Sequence, residues 1–471
     1  MMSVHRPTLS LTEAAQAMGG EVRGGDHSFG QVTIDSRRVP PGALFVAIPG
    51  ERFDGHQFAA AAAAAGACGA VVERWLAVDI PQVKVGDARR ALGSLAKAWR
   101  KRHFRGTLVA LTGSNGKTTT KEMLAAILAA AGRVSATRGN LNNDIGVPLT
   151  LLSLTPDLQW AVVEMGANHA GEIAYAAALA EPQVALITNA GPAHLEGFGS
   201  LDGVARAKGE IYDALGPGGV AVINADDAFA ERWHRRAAGK VLVDFGIQRP
   251  AQVTGRFLDE TQGAIAIAFG GHTVTCRLPL AGHHNLANAL AATAAALAAG
   301  ATLDHVVRGL EGLEPVAGRL RTRRGVAGST LIDDTYNANP ASLQAALLVL
   351  KGRPAPRWLV LGDMAELGAD ARAHHHKVAE LARQAGVEAL FTTGPLADLA
   401  GHAFGAGACH EPDLQALATE LRARLQARAA LGGAGVTILL KGSRSAGLER
   451  LVAALVADDD GYSPSTDPGV A

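Results

Sequence analysis

The segment 107–132 predicts a strand, a glycine-containing turn and a helix in direct succession. The strand is TLVAL, the turn is TGSNG, and the helix is KTTTKEMLAAILAAAG, which Gly132 can end. Such a turn points backbone N–H groups and the positive end of the helix dipole at one place, where an anion can bind. The usual pattern G-x-x-x-x-G-K-[ST] does not fit, because Leu111 stands where its first glycine should be. The segment therefore predicts a shortened phosphate loop, T-G-x-x-G-K-T.

The residue types in this loop suit a nucleotide and its magnesium ion. Lys117 can reach the outer phosphates, and the Thr118 hydroxyl can bind Mg²⁺. The predicted ATP-binding residues of the loop are Thr112, Gly113, Ser114, Asn115, Gly116, Lys117, Thr118 and Thr119. The alternative is a tight strand-to-helix turn that carries a surface lysine. The strand before the turn and the helix after it favour the phosphate loop.

Apolar runs of strand length alternate with helical stretches along most of the chain. This alternation predicts parallel sheets with crossover helices, and therefore an α/β fold. A chain of 471 residues is too long for one ordinary core. We predict a small N-terminal α/β domain (1–103), a central domain with a parallel sheet (104–314), a C-terminal Rossmann-like α/β domain (315–456) and a disordered tail (457–471).

Local patterns add detail to this division. Ser10 and Glu13 form an S-x-x-E capping box at the start of a predicted helix, and Gly19 can end that helix. An alanine-rich helix is predicted at 57–67. Apolar and polar residues alternate between glycines in the segment 255–282, which predicts an antiparallel patch inside the central domain.

Composition excludes several classes of protein. Lys+Arg and Asp+Glu both number 44 and no long basic run occurs, so a nucleic-acid surface is not expected. Cys68, Cys276 and Cys409 show no C-x-x-C spacing, which favours a reducing compartment over a disulfide framework or a zinc site. No strongly apolar run reaches the roughly 18 residues that a membrane helix needs. We expect no transmembrane segment and a cytoplasmic location.

The shortened loop and a series of further motifs resemble the Mur ligase family. They follow the family's order and span nearly the whole chain: GNLNNDIGVPLTLL (139–152), EMGANHAGEI (164–173), NAGPAHLEGFGS (189–200), HHNLANALAA (283–292), DDTYNANPASLQAAL (333–347), LGDMAELG (361–368) and LKGSRS (440–445). The phrases EMGANHAGEI, GPAHLEGFGS and DTYNANP are most similar to the branch that adds D-alanyl-D-alanine to UDP-N-acetylmuramoyl-tripeptide. The D-N-P-R motif of the diaminopimelate-adding branch is absent.

This resemblance implies an ATP-dependent amide-bond ligase of peptidoglycan precursor synthesis. The family first phosphorylates a carboxylate to an acyl phosphate, which an amine then attacks with expulsion of phosphate. Because two anions approach each other in the first step, divalent cations and fixed positive groups are needed. The implied cofactors are ATP and Mg²⁺, and the implied partners are UDP-N-acetylmuramoyl-tripeptide and D-alanyl-D-alanine. A monomer is expected.

Four residues are predicted to be catalytic, and three of them would also bind metal with Thr118. Lys117 is the first. Glu164 ends the strand AVVEM, and a carboxylate at that edge of an α/β sheet lies where ligands bind, although it could also cap a helix. The resemblance implies that His194 binds a second magnesium ion and that Lys208 is carbamylated and so able to bind Mg²⁺. The alternatives are a solvated histidine and a surface lysine paired with Glu210.

Three residues outside the loop complete the implied ATP site. The resemblance implies that Asn285, which opens an alanine-rich helix, contacts the adenine. It also implies that Arg319 lies near the phosphates and that Asp334 binds the ribose. Single Arg and Asp residues are also common in surface ion pairs, which is the alternative for these two.

The two remaining substrates are assigned to the ends of the chain and to one central motif. The stretch DSRRVPPGALFVAIPGERFDGHQF resembles a UDP-sugar site, with a surface turn as its alternative. Candidates for the UDP-substrate are Ser36, Arg37, Asp54, Gly55, His56, Asn140, Asn142 and Asn143. Candidates for the dipeptide are Asn337, Asn339 and Ser342.

Three readings of function remain. The first is the ligase described above. The second is another Mur-type ligase or a folylpolyglutamate synthase-like ligase, against which the stretch SRRVPPG argues because the folate branch uses no UDP-sugar. The third is a nucleotide-regulated binding protein that retains the ligase fold, and the presence of Lys117, Glu164 and His194 disfavours it. The third residue of the acceptor peptide, diaminopimelate or lysine, is not determined.

Overall fold

Three main β-sheets follow one another along the chain in a computed structural model. It describes residues 7–50, 53–192, 195–314 and 316–457. Each sheet is mostly parallel and carries helices, which confirms the predicted α/β class. No helix of the described part of the chain combines the length and the apolar character that a membrane crossing requires.

The N-terminal unit contains a five-stranded sheet. The seven strands of the unit, five of them in this sheet, are β1 (Leu9–Ser10), β2 (Glu21–Arg23), β3 (Ser28–Phe29), β4 (Val32–Thr33), β5 (Leu44–Val46), β6 (Gly69–Val72) and β7 (Gln82–Lys84). Its helices are α1 (Leu11–Met18), α2 (Ala59–Ala64) and α3 (Ala88–His103). The sheet order is β2-β7-β6-β5-β4, with β2 antiparallel to β7 and the other pairs parallel. Strands β1 and β3 form a separate antiparallel pair.

The ends of the first two helices have local causes. The Ser10 side chain accepts the Glu13 N–H at 3.2 Å, and the Glu13 carboxylate accepts the Ser10 N–H at 2.9 Å, so the predicted capping box is present. Gly19 ends α1 with a left-handed φ of 67°. The predicted helix at 57–67 is shorter in the structure. Phe58 has φ −100° and ψ 0°, so α-helical geometry begins only at Ala59, after a 3-10 turn.

The middle unit contains a nine-stranded sheet. Its strands are β8 (Thr107–Thr112), β9 (Val134–Ala136), β10 (Trp160–Glu164), β11 (Val184–Ile187), β12 (Val220–Asn224), β13 (Val241–Gly246), β14 (Val253–Asp259), β15 (Ala264–Phe269) and β16 (His272–Arg277). Its helices are α4 (Lys117–Ala129), α5 (Gly146–Leu152), α6 (Glu172–Ala180), α7 (Leu195–Phe198), α8 (Leu201–Gly209), α9 (Ala230–Arg236), α10 (His283–Ala298) and α11 (Leu303–Glu311).

The order of this sheet positions the phosphate loop. It runs β16-β15-β14-β13-β12-β11-β8-β10-β9, and the pairs from β14 to β9 are parallel. The chain leaves β8 for β9, returns to β10 on one side of β8 and then crosses to β11 on its other side. The carboxyl ends of β8, β10 and β11 therefore meet where the strand order reverses, which is where α/β sheets bind ligands. Strands β14, β15 and β16 pair in antiparallel fashion, which confirms the predicted patch.

Two helix ends of this unit differ from the prediction by two or three residues. Helix α4 ends at Ala129, not at Gly132, because the Ala131 N–H bonds the carbonyl three residues back and so tightens the last turn. Helix α10 begins at His283 and not at Asn285, since the chain turns at Gly282 with φ 95°.

The C-terminal unit contains a six-stranded sheet. Its strands are β17 (Arg321–Arg324), β18 (Thr330–Asp334), β19 (Arg357–Gly362), β20 (Ala389–Thr393), β21 (Ala408–His410) and β22 (Thr437–Lys441). Its helices are α12 (Pro340–Lys351), α13 (Ala371–Gln384), α14 (Ala397–Phe404), α15 (Leu414–Ala430) and α16 (Glu449–Leu455). The order is β17-β18-β22-β19-β20-β21, and all pairs except β17–β18 are parallel. Single 3-10 turns lie at Gly55–Phe58, Glu210–Ala214, Val326–Gly328, Gly368–Asp370 and Arg444–Ala446.

Helix α3 connects the first two units. It packs on α1 of the N-terminal unit and on α5 and α6 of the middle unit. Its Trp99 is 1% exposed and donates its indole N–H to the Leu154 carbonyl at 3.0 Å. The apolar core is continuous across this helix. The domain limits given above stay predictions, and the tail beyond residue 457 lies outside the described residues.

Candidate active site

The phosphate loop requires glycine at two positions. Gly116 has a φ of 78° and directly precedes α4. A Cβ at this position would lie 2.2 Å from the Asn288 side-chain oxygen, and one at Gly113 would lie 1.8 Å from the Thr188 hydroxyl. Both distances are far too short for non-bonded atoms. The two glycines of T-G-x-x-G-K-T thus allow close packing of the loop against the strand end after β11 and against α10.

Two of the loop's N–H groups are bonded within the protein. The Ser114 N–H donates to the Asn189 carbonyl and the Asn115 N–H to the Asn189 side-chain oxygen, both at 3.0 Å. The Thr188 hydroxyl donates to the Asn115 carbonyl at 2.8 Å. These bonds fix the loop before any ligand binds. The donors that remain for an anion are the first N–H groups of α4, which have no partner inside a helix.

Lys117 and Thr118 begin α4 and face the end of β10. The Lys117 Nζ donates to the Gly113 carbonyl at 2.9 Å. Burial lowers the pKa of Lys117, and the Arg319 guanidinium lowers it further, while Glu164 raises it. The Thr118 hydroxyl lies 3.4 Å from Glu164 Oε1. The loop therefore sets a cation and a hydroxyl beside a carboxylate.

Glu164 has the properties of a cation ligand. It is 1% exposed at the end of β10, and its Oε1 accepts the Asn142 amide at 2.8 Å. Its Oε2 is buried and has no hydrogen-bond partner among the described residues. A buried carboxylate oxygen without a partner is costly, and a divalent cation would satisfy it. Glu164 with the Thr118 hydroxyl therefore fits Mg²⁺. The alternative role of Glu164 as a helix cap is wrong, because Gly171 occupies the N-cap of α6.

Lys208 is buried, which excludes the alternative of a surface lysine. Its side chain is 2% exposed near the end of α8. Burial lowers its pKa well below the usual value, and the Lys117 ammonium lowers it further. Glu210, the partner in the alternative, instead accepts the N–H groups of Gly171 and Ala174 at the start of α6, at 3.0 and 3.1 Å. His194 lies outside the described residues.

The C-terminal unit reaches the phosphate loop through Arg319. Its Nη2 donates to the Thr118 hydroxyl at 3.3 Å, and its guanidinium lies 4.0 Å from the centre of the Tyr336 ring. Asp334 ends β18, and its carboxylate accepts the Lys441 Nζ at 2.6 Å. Asn285 is 3% exposed in the first turn of α10, where its amide donates to a backbone carbonyl.

A second contact across the same interface involves two asparagines. The Asn339 amide donates to the Asn115 side-chain oxygen at 2.7 Å. The Asn339 oxygen also accepts the Ser342 N–H at 2.9 Å and so caps α12. The phosphate loop and the first turn of α12 are thus joined directly. Asn339 and Ser342, two of the three predicted dipeptide candidates, take part in these bonds. Contact of all three candidates with the dipeptide stays a prediction.

A cleft of about 630 Å³ lies between the middle and C-terminal sheets. It brings together most of the predicted residues, namely Ser114, Asn115, Gly116, Lys117, Thr118, Thr119, Asn140, Asn142, Asn143, Glu164, Asn285, Arg319, Asp334, Asn337, Asn339 and Ser342. Thr112, Gly113 and Lys208 are not part of its lining, and neither are the N-terminal candidates. The phosphate-binding and C-terminal candidates therefore share one site with Glu164 and with the three asparagines assigned to the UDP-substrate, while the N-terminal UDP candidates lie elsewhere.

The N-terminal candidates lie at one edge of the first sheet. Ser36 and Arg37 follow β4, and Asp54, Gly55 and His56 follow β5, its parallel neighbour. The Arg37 side chain is 82% exposed and forms a bidentate pair with Asp35, at 2.8 and 2.9 Å.

The second group, after β5, is held by its own contacts. Asp54 accepts the His56 backbone and ring N–H groups, while the buried His56 accepts the Glu73 N–H at 2.8 Å. The Arg74 guanidinium, followed by the bonds from His56, holds the pKa of Asp54 well below its usual range. The Asp54–His56 pair shapes the turn, which leaves the exposed Arg37 as the most accessible candidate of this edge.

Sequence reasoning missed several residues of the cleft. Asn189 holds the phosphate loop, Lys441 holds Asp334, and Tyr336 stacks on Arg319. Lys441 was detectable, because a lysine that ends the apolar run VTILLKG at a strand's carboxyl edge resembles the position of Glu164. His284 also lines the cleft, where burial lowers its pKa to about 4 and so keeps the ring neutral.

Comparison with known proteins gives a consistent result over the whole chain. Three family profiles match: "Mur ligase family, catalytic domain" over residues 28–100, "Mur ligase middle domain" over 111–296, and "Mur ligase, glutamate ligase domain" over 318–444. UDP-N-acetylmuramoyl-tripeptide--D-alanyl-D-alanine ligase of Escherichia coli is 44% identical over 451 residues, which cover 95% of this chain and 98% of the relative. The protein of the same name from Haemophilus influenzae is 44% identical over 79% of this chain and 82% of its own.

Solved structures agree with these matches. The crystal structure of MurF from Acinetobacter baumannii is 36% identical and superposes with a TM-score of 0.88, covering 95% of this chain and 98% of that one. MurF ligase from Thermotoga maritima, solved in complex with ADP, is 28% identical with a TM-score of 0.78. The match covers 90% of this chain and 96% of that one. Folylpolyglutamate synthase from Mycobacterium tuberculosis is 19% identical, with a TM-score of 0.64, and shares the fold. The match covers 80% of this chain and 95% of that one.

Proposed function

The chain belongs to the Mur ligase family, and from this premise we propose that it joins D-alanyl-D-alanine to UDP-N-acetylmuramoyl-tripeptide in an ATP-dependent reaction of peptidoglycan precursor synthesis. The observation that carries the proposal is one cleft in which a phosphate loop, an unpaired buried carboxylate oxygen and the C-terminal unit meet. A relative of this name is 44% identical over nearly the full length. The enzyme is therefore a ligase of the acid–D-amino-acid type.

The cleft suits the first half of such a ligation. The tripeptide carboxylate takes the outer phosphoryl group of ATP and becomes an acyl phosphate, with ADP as the leaving group. Both reactants are anions, so fixed positive charge is needed between them. Lys117 supplies it from the loop, and Arg319, which donates to the Thr118 hydroxyl, supplies it from the C-terminal unit. The first turn of α4 adds its N–H groups.

The second half forms the amide bond. The dipeptide amine attacks the acyl carbon, phosphate leaves with the electrons of its C–O bond, and the nitrogen loses a proton. Holding the amine in the correct position accounts for much of the rate enhancement in such a step. The C-terminal unit, docked on the phosphate loop through Arg319 and Asn339, provides a rigid platform for the amine.

We propose that Mg²⁺ binds with Glu164 and the Thr118 hydroxyl, and that His194 and a carbamylated Lys208 serve a second ion. The unpaired Glu164 Oε2 and the burial of Lys208 beside Lys117 support this assignment. When bound, the metal would neutralise phosphate charge in the transition state. Glu164 also accepts the Asn142 amide, so the chain itself orients the carboxylate.

Glu164→Gln is expected to raise the Mg²⁺ concentration for half-maximal activity by at least about tenfold, because the neutral amide is a weak ligand. The measurement is phosphate release as a function of Mg²⁺ at saturating ATP. Gln retains an oxygen for the Thr118 and Asn142 contacts, so the melting temperature should change little. An unchanged Mg²⁺ dependence in the folded variant would remove Glu164 from the metal site.

The UDP-substrate is assigned to the edge of the N-terminal sheet that carries Ser36 and Arg37. The exposed Arg37 guanidinium suits a diphosphate, since Arg makes bidentate bonds to phosphate oxygens. Asn140, Asn142 and Asn143 follow α4 and β9 in sequence, and they line the cleft in which the peptide end must react. A cytoplasmic location and a monomeric state are parts of the proposal that follow from ATP use and from the family.

Arg37→Ala is expected to weaken binding of the UDP-substrate by roughly 1.5–3 kcal/mol, the size of a charge-assisted contact. The apparent constant for ATP should stay nearly unchanged, because Arg37 does not line the nucleotide cleft. Both constants can be measured in one phosphate-release assay. Arg38→Ala, one position along the same turn, is the matched control. Equal losses for the two substrates would contradict a separate UDP site.

Phosphate release tests the proposed function itself. The protein is incubated with ATP, Mg²⁺ and UDP-N-acetylmuramoyl-tripeptide, and each candidate amine is added singly. Release should depend on D-alanyl-D-alanine and not on glutamate, diaminopimelate or lysine. Release with glutamate and a folate, without any UDP-substrate, would identify a folylpolyglutamate synthase-like ligase. Nucleotide binding without any amine-dependent release would favour the regulated binding protein.

A further inference from the structure

Both chain neighbours of Arg319 have a left-handed backbone. Gly318 has a φ of 73°, and Leu320 has a φ of 54°, a region in which residues with a side chain are uncommon. A Cβ at position 318 would lie 3.0 Å from the Tyr336 nitrogen, whose N–H donates to the Gly318 carbonyl at 3.2 Å. Left-handed backbone at a leucine persists only where the surroundings determine it. Specific contacts must therefore hold the turn that carries Arg319.

One buried carboxylate supplies two of these contacts. Asp333 lies in β18 and is 4% exposed. Its Oδ2 accepts the Gly318 N–H at 3.1 Å, and its Oδ1 accepts the Thr335 hydroxyl at 2.7 Å. Gly318 directly precedes Arg319, and Thr335 directly precedes Tyr336, the residue whose ring lies against the Arg319 guanidinium. Asp333 thus fixes the backbone before the arginine and the backbone before the ring on which it stacks.

The guanidinium held in this way points at the phosphate loop. Its Nη2 donates to the Thr118 hydroxyl at 3.3 Å. The Arg319 Nε is buried and has no hydrogen-bond partner among the described residues, so one donor remains for a ligand oxygen. On the other side of the arginine, the Leu320 N–H donates to Asp334 Oδ1 at 3.3 Å. A displacement of about 1 Å in a group that acts on the reacting atoms can cost about 10²-fold in rate.

The charge of Asp333 is balanced inside the same unit. Its burial requires a countercharge, and the Nε of Arg323, whose side chain is 3% exposed, lies 3.7 Å from Asp333 Oδ2. A carboxylate that served only this ion pair would need no further donors. The hydrogen-bond donors to Asp333 come instead from the two segments that carry Arg319 and its ring.

We propose that Asp333 is a positioning residue that holds Arg319 in place for phosphoryl transfer. This inference rests on the proposed ligase function and adds to it a residue that acts through Arg319 and does not line the cleft. Charge-assisted hydrogen bonds to a carboxylate are stronger than those between neutral groups, so the two backbone segments are held firmly. The arginine is then placed before ATP binds, and no reorganisation is needed during the reaction.

Asp333→Asn keeps the shape, but its single acceptor oxygen cannot accept from both the Gly318 N–H and the Thr335 hydroxyl. We expect kcat to fall about tenfold or more, while the apparent KM for the UDP-substrate stays within about twofold of wild type. In an Arg319→Ala background the same substitution should lower the remaining rate by less than about twofold, because the positioned group is gone. Single-turnover release of labelled phosphate from ATP keeps the slow variants measurable.

Thr335→Val tests the same contacts with the Asp333–Arg323 pair intact, and so covers the case in which Asp333→Asn does not fold. It removes the hydroxyl bond at nearly constant volume. We expect kcat to fall about threefold or more in the wild-type background and to stay within about twofold in the Arg319→Ala background. Thr335→Ser keeps the hydroxyl and should retain the wild-type kcat.

Asp363→Asn is the matched control. Asp363 follows β19 in the same sheet, and its Oδ1 accepts the N–H groups of Leu396 and Ala397 at 3.0 and 2.7 Å, so it holds α14 and not the Arg319 turn. Any loss that it causes should be the same in both backgrounds. Equal losses in the two backgrounds from Asp333→Asn or Thr335→Val, or a wild-type kcat in either folded variant, would overturn the inference. Wild-type protein that releases no phosphate with both substrates would instead refute the ligase function, so the two failures are distinguishable.

Discussion

Lys117→Ala is expected to lower ATP-dependent phosphate release by about 100-fold or more. Lys117 begins α4 directly after the phosphate loop, and its ammonium lies 2.9 Å from the Gly113 carbonyl. In that position it can move to the outer phosphates and stabilise the charge that develops during transfer. Loss of one preorganised donor to such charge typically costs about 10²–10³ in rate.

The fold should survive this substitution. Burial lowers the pKa of Lys117, so the folded state bears a cost for keeping the ammonium charged, and alanine removes that cost. The loop conformation depends on Gly113, Gly116 and the bonds to Asn189, none of which uses the lysine side chain. The melting temperature should therefore stay equal to wild type or rise.

Lys117→Arg is the informative companion. It keeps the charge, but the planar guanidinium is larger than an ammonium and cannot replace it as a point charge. We expect partial activity, between wild type and alanine. A folded Lys117→Ala protein that keeps more than about a tenth of wild-type turnover would contradict the role of Lys117 on the phosphates.

Lys208→Ala is expected to be nearly inactive, and a small carboxylate should restore part of the loss. Burial lowers the pKa of Lys208 and the Lys117 ammonium lowers it further, so the amine is more often neutral at a given pH than an ordinary lysine. A neutral amine adds to CO₂ through its nitrogen lone pair and releases one proton, which yields a carbamate. The resulting anion would attract both Lys117 and Mg²⁺.

An unmodified Lys208 ammonium cannot attract Mg²⁺. At 4 Å from a unit positive charge it would be repelled by roughly 4 kcal/mol at an effective dielectric of 20. The carbamate changes the sign of this interaction. Formate can occupy the space left by Lys208→Ala with the same charge, and Lys208→Glu should keep part of the activity because it preserves the negative sign on a shorter chain.

Lys121 provides a matched control for this experiment. It is also a buried lysine, 1% exposed on α4, but its Nζ donates to the Thr137 carbonyl and pairs with Glu122, both at 2.7 Å. These contacts occupy the Lys121 Nζ, so its removal leaves no anionic position for formate to fill. Formate should therefore not restore activity to Lys121→Ala. Labelled bicarbonate should give a carbamate carbon signal in wild type that is lost only in Lys208→Ala, and a fully active Lys208→Ala protein would refute the assignment.

The sequence by itself determined the features that depend on neighbouring residues. The phosphate loop, the capping box of α1 and the antiparallel patch of β14–β16 all arise from spacing and side-chain type within short segments. The hydrogen bonds of the capping box and of the patch join residues close in the chain, and the loop is recognised by residue types within one short segment, so periodicity and turn chemistry predict all three. The order of the motifs was sufficient to identify the family. Helix ends were less well determined, because the last turn of α4 depends on small shifts in bonding.

Only the tertiary structure decided which motifs share a site. The Asn339–Asn115 bond joins residues 224 positions apart, and the Arg319–Thr118 bond joins residues 201 apart. The burial of Lys208 depends on packing around α8 from several elements, and no local pattern of charge encodes it. The same holds for the Met364 and Ala365 N–H groups after β19, which donate to His375 of α13 and to Ser443 after β22. Contacts between distant segments form when sheets and helices bury their apolar faces, and a single sequence records the apolar faces but not their partners.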